Sequence, residues 1–98
     1  MRPEQSAHNK RNLALYRTAI SRFIRSAMIL NNTRYEDLAA ELELRGIVLP
    51  SDNLRSKVSK GAFAADLFIV IIDILGVSDD ALIQIQKLQR NQSQQEMP

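Results

Sequence analysis

Cysteine is absent from this chain, so disulfides and thiolate metal sites are excluded and cysteine usage carries no redox information. Glycine and proline occur three times each, and no stretch alternates apolar and polar residues at any length, which argues against a sheet and for a mostly helical chain. Aromatic residues are few, two Tyr and three Phe, and most fall at positions with core spacing. Little is left for the base stacking by which single-stranded RNA is held, so RNA binding is a minor alternative. The longest apolar run, Leu67 to Ile72, is far short of the roughly 20 residues of a membrane span. The amino terminus, MRPEQSAHNKR, has no apolar stretch of secretory type. A cytoplasmic protein without a membrane partner is the expectation. There is one histidine, His8, in a polar segment, and it reads as incidental. No Cys/His cluster, glycine-rich phosphate loop or nucleophile constellation occurs. Glu36, Asp37, Glu41 and Glu43 belong to a helix start and its outer face. The residues therefore imply neither an enzyme nor a cofactor, metal or small-molecule effector.

What is present is one modest hydrophobic core. Ninety-eight residues, 45% of them hydrophobic, suffice for a single domain. Net charge is only +2, but it is unevenly spread. Residues 1–26 hold six Lys/Arg against Glu4 alone, and residues 51–61 hold Arg55, Lys57 and Lys60 against Asp52. The stretches after each basic block are net acidic. A protein that meets a polyanion with one face fits this pattern better than one that coats nucleic acid uniformly.

Apolar spacing predicts five helices. Residues 1–11 read as a flexible basic arm, in which Arg2, Lys10 and Arg11 either reach along DNA or merely solubilise. The first helix runs from about Asn12 to Leu30, with Leu13, Tyr16, Ile20, Phe23, Ile24, Ala27 and Met28 as its stripe and Asn31-Asn32 as its stop. Thr33 and Glu36 have capping-box spacing for a second helix packed through Tyr35, Leu38, Ala39 and Leu42 and stopped at Gly46. Gly46 to Pro50 is a connector. Ser51 or Asp52 is the expected N-cap of a third helix anchored by Leu54 and Val58 and closed by Gly61. A fourth helix, about 64–75, is apolar almost all round. Its β-branched residues also suit a strand, but its length, the alanines before it and the Gly76 stop favour helix. Ser78 is expected to cap a fifth helix with Ala81, Leu82, Ile85 and Leu88 on one face. The body thus spans 12–90, and 91–98 read as a disordered polar tail.

The third helix, SDNLRSKVSKG, carries the functional signal. Asn53, Arg55, Ser56, Lys57 and Lys60 are left for its exposed surface, and these residue types reach base edges and phosphates in a DNA groove. Asn53 and Arg55 suit bidentate pairing with adenine and guanine, Ser56 and Lys57 base or phosphate contact, and Lys60 a phosphate. Thr33 and Arg11 are further candidates for the DNA backbone. Arg17, Arg22 and Arg25 read as a solvated helix face.

YEDLAAELELRGI, NLRSKVSKG and AADLFIVIIDILGVS together resemble the lambda-repressor-like (Xre-type) helix-turn-helix family, from Tyr35 to Ser78. The middle also looks like an uncharacterised helix-turn-helix-like domain of small bacterial proteins, with the pattern tyrosine, acid, Leu-Ala, then Gly-Ile, then Asn-Leu-Arg-x-Lys-Val-Ser-x-Gly-x-Phe. The resemblance implies an all-α, five-helix domain that binds double-stranded DNA as a transcriptional regulator, a repressor by expectation. A homodimer on a palindromic operator follows, with Ile69, Leu82, Ile85 and Leu88 as interface candidates and the long first helix as the alternative interface. Two features depart from the family: the connector exceeds the roughly three or four residues of a tight helix-turn-helix, and no glutamine opens the third helix. An antitoxin-like or adaptor module that binds protein through its apolar helices is the second reading.

Overall fold

The computed structural model describes residues 2–96, with side chains through Gln92. These residues form five α-helices and no strand: α1 Pro3–Leu30, α2 Tyr35–Leu44, α3 Ser51–Lys60, α4 Ala65–Ile74 and α5 Ala81–Glu96. At 1.5 Å per residue α1 is about 42 Å long, and it sets the 44 Å long dimension of the molecule. It packs against α5 and α3, while α2 packs against α3 and α4. All five helices feed one core, in which Ile24, Leu38, Leu42, Leu54, Val58 and Ile71 are the largest fully buried side chains.

Both ends of the chain are more helical than their polarity suggests. α1 begins at Pro3, not near Asn12, so residues 3–11, expected as an arm, form the first turns of that helix. Proline at the first helical position loses no hydrogen bond. The Arg2 amide donates to Gln5 Oε1 at 3.1 Å, and His8 Nε2 lies 3.2 Å from Asn12 Nδ2 one turn on. Glu, Gln, Ala, Lys and Arg, which dominate this stretch, are strong helix formers even where nothing is buried. The same holds for residues 91–96, which continue α5. The remainder of the expected polar tail, and Met1, lie outside the described residues.

Three expected caps are displaced by one or two positions. Arg34, not Thr33, is the N-cap of α2, and its amide donates to Asp37 Oδ2 at 2.9 Å. Thr33 Oγ1 donates to the Asn31 carbonyl at 3.3 Å. Pro50 precedes α3, which starts at Ser51. Ser78 sits in the turn before α5, where the Asp80 carbonyl accepts from Gln84 N at 3.0 Å. At α2 the Asp37 carboxylate takes the role expected of the threonine hydroxyl, while α3 and α5 start without a side-chain cap from the expected serines.

The stops fall where turn chemistry places them. The first four helices end in the same pair of reverse bonds, exemplified by Ile47 N to Leu42 O at 2.9 Å and Gly46 N to Glu43 O at 2.9 Å after α2. The pattern requires a left-handed residue, supplied by Asn32 after α1 and by the three glycines after the others. Gly61 has a second requirement. A Cβ built on it would overlap the Arg17 carbonyl of α1, whereas one on Gly46 would meet nothing. The end of α3 therefore touches the α1 backbone directly.

These two glycines give a controlled comparison. Gly46→Ala meets only the left-handed penalty, about 1–2 kcal/mol. Gly61→Ala is expected to lose at least about 2 kcal/mol more, because α3 must move away from α1 and leave cavities at Leu54 and Val58. Urea unfolding of the two variants measures the difference, and equal losses would show that the close approach contributes nothing.

Candidate nucleic-acid interface

α3 is held on its inner side by Leu54 and Val58, both fully buried. Successive residues turn by 100°, so the side chains opposite that stripe are Asp52, Asn53, Ser56, Ser59 and Lys60, and all five are exposed. They form an outward crown. Arg55 and Lys57 lie on opposite flanks of it. Of the expected contact residues, the structure thus brings Asn53, Ser56 and Lys60 together on the crown, places Arg55 on the flank toward α2, and leaves Lys57 half-buried on the flank toward α4. Lys57 borders a groove that includes Leu49, Leu67 and Asp66. Asp52, expected only as a possible cap, is an exposed acid on the crown, suited to accept from a cytosine amine.

The Arg55 flank is organised by two other helices. Its guanidinium carbon stands 5.2 Å from the centroid of the Tyr35 ring at the start of α2, a stacking geometry that arginine adopts readily. On α1, Ser21 Oγ donates to the Ser59 carbonyl at 3.4 Å and Arg25 Nη2 donates to Ser59 Oγ at 3.2 Å. The three helices enclose an open cleft of about 510 Å³ lined by Arg25, Met28, Ile29, Thr33, Arg34, Tyr35, Glu36 and Arg55. Among the described residues none of its three arginines forms an ion pair; the pair Arg45–Glu41, at 3.2 Å, is exposed at the end of α2.

Arg25 and Arg34 were not legible as site residues. Arg25 reads locally as one more solvated cation on α1, and only the tertiary contact with Ser59 brings it beside α3. Thr33 does line the cleft, half-buried. Arg11 does not join the site: it is exposed on α1, about 21 Å along the helix from Arg25. Among the proposed interface residues Ile85 is only 5% exposed and belongs to the α1–α5 core. It is unavailable to a partner, because α5 lays this face on α1. Leu82 and Ile69 are 66% and 61% exposed, and Leu88 is half-buried.

Among the described residues no group of His, Asp and Glu side chains is arranged to hold a metal ion, and no helix is long and apolar enough to cross a membrane. Comparison with known proteins adds one finding. A family model described as a domain of unknown function, DUF6471, matches residues 16–80, about two thirds of the chain. The chain belongs to this family. The DUF6471 region takes in just over half of α1, all of α2, α3 and α4, and hence the crown, the cleft and the Gly61 contact. It leaves out nearly the first half of α1 and the whole of α5. No curated protein and no solved structure matches the chain.

The stacking of Arg55 on Tyr35 is measurable. A double-mutant cycle with Tyr35→Leu and Arg55→Gln, read by urea unfolding, is expected to give a coupling of about 0.5–1 kcal/mol, the usual size for an exposed cation–π pair. A coupling indistinguishable from zero would mean that Arg55 is free in solution.

Proposed function

We propose that this chain is a sequence-specific, duplex-DNA-binding transcriptional regulator of lambda-repressor-like helix-turn-helix type, with α3 as the helix that enters the major groove. The observation that carries the proposal is the crown of α3. Five exposed polar or charged side chains on one rigid helix, with basic residues on both flanks, match what base-edge and phosphate contact requires. In this reading Asn53, Ser56 and Lys60 meet the groove first. Arg55 and Lys57 reach the backbone or an outer base from either side. The connector of residues 45–50 is longer than in a tight helix-turn-helix, but its Ile47 and Leu49 are packed against the core, so α3 is still held firmly.

A ten-residue helix is about 15 Å long and spans about four base pairs at 3.4 Å each. That is too few for useful genomic selectivity. A homodimer on a palindromic operator, acting as a repressor, resolves this, and of the expected interface residues Ile69 and Leu82 are exposed for pairing. Exposed Ile29, Leu30, Leu44 and Val48 favour a second reading, an adaptor or antitoxin-like module that binds another protein. Salt separates the two, since phosphate-mediated binding falls steeply with ionic strength and apolar association changes little.

Selection of bound sequences from a random duplex library is expected to enrich one inverted repeat. On that site Asn53→Ala relaxes discrimination at one base pair by about 1–3 kcal/mol, and Lys60→Ala weakens all sequences alike and lowers the salt slope by about one. Arg55→Ala weakens binding more than about tenfold without unfolding the chain. Recovery of no motif by the folded protein would overturn this reading in favour of the protein-binding one.

A further inference from the structure

The cleft beside α3 holds a combination that folding alone does not require. Arg25 on α1, Arg34 at the N-cap of α2 and Arg55 on α3 converge on one open space, against the single carboxylate of Glu36. Like charges gathered without partners oppose folding. Nothing in the core needs them, since none of the three is buried. Two are nevertheless held in place. Arg25 is tied to Ser59 Oγ at 3.2 Å, and Arg55 lies over the Tyr35 ring at 5.2 Å. An arginine so held has lost part of its side-chain freedom already, and its remaining N–H groups are free to make paired, charge-assisted bonds to an anion.

We infer that this cleft is a seat for one phosphoryl group, and that its source is a phosphate of the DNA backbone flanking the bases met by α3. In naming that source the inference rests on the DNA-binding reading. It assigns Arg25, on a helix that otherwise packs, a direct ligand role, and it makes Arg55 a backbone clamp rather than a base reader. Thr33, whose hydroxyl borders the same cleft, is placed to add a neutral hydrogen bond.

Arginine side-chain and backbone NMR signals of the full chain test this, first with inorganic phosphate at low ionic strength against a chloride-matched control. Saturable shifts are expected at Arg25, Arg34, Arg55 and Thr33. Arg25→Gln and Arg34→Gln should each weaken phosphate binding about tenfold, with signals elsewhere unchanged to show that the fold persists. Arg25→Lys should lose less, since it keeps the charge and lacks only the paired geometry. The selected duplex, added next, is expected to move the same signals and displace phosphate. Absence of phosphate shifts at the three arginines overturns the inference. So does a duplex that binds without moving them, and in that case the DNA reading stands. Phosphate binding in the cleft with no binding of any duplex overturns the DNA reading instead, and leaves a free phosphoryl compound as the occupant.

Discussion

The position of α3 depends on one contact with almost no freedom, the meeting of Gly61 with the α1 backbone at Arg17. A residue with any side chain would hold the two helices apart. One and two turns further along α1, Ser21 and Arg25 reach Ser59. Positions 17, 21 and 25 share one face of α1, so a single line along the long helix fixes the last turn of α3. Leu54 and Val58 then fix its rotation from the other side by burial between α1 and α2. With both settled, the crown must face outward, and Arg55 must point toward the start of α2. The geometry of the candidate interface is thus a by-product of packing, which is how a rigid site is obtained from short helices.

The joints between helices serve the same end. Four of the five helices close with paired reverse bonds from the residues just beyond them, so few backbone groups at these ends are left to water or to chance. Asn31 extends the economy: its side-chain amide donates to the Leu75 carbonyl at 2.7 Å, joining the end of α1 to the end of α4. The connector of residues 45–50 is six residues long, yet Ile47 and Leu49 are drawn against the core. Extra length here does not mean slack, because two apolar anchors in six residues leave little to move.

Legibility in the sequence followed the range of the physics. Helix stops at Asn32, Gly46, Gly61 and Gly76 could be read, since a left-handed residue after an apolar period is a local signal. The inward faces of α2 and α3 could be read from the spacing of Leu38, Leu42, Leu54 and Val58. Residues 3–11 and 91–96 read as arm and tail on polarity alone, but they are helical, because helix propensity is the stronger local term. Ile85 was misplaced for a different reason. Periodicity identifies an apolar face but does not say whether a neighbour in the same chain covers it, and here α1 does. The cleft was invisible for that reason too: Arg25, Arg34 and Arg55 are separated by nine and twenty-one positions, and no local rule connects them.

The choice of cation differs between the two parts of the site. All three basic residues in the cleft are arginine, and one of them lies on a tyrosine ring. The crown and the opposite flank of α3 use lysine, at Lys60 and Lys57. Arginine presents a flat, always charged fork that stacks on aromatic faces and grips oxyanions in pairs, while lysine is a mobile, strongly hydrated point charge. A fixed seat for one anion calls for the first. A surface that must slide over many phosphates before meeting its bases is better served by the second, because point charges on flexible stems bind without committing to a geometry. On the proposed DNA-binding reading, a chain of only +2 sets its held arginines where one phosphate would sit and its lysines where many would be passed, an order that net charge conceals.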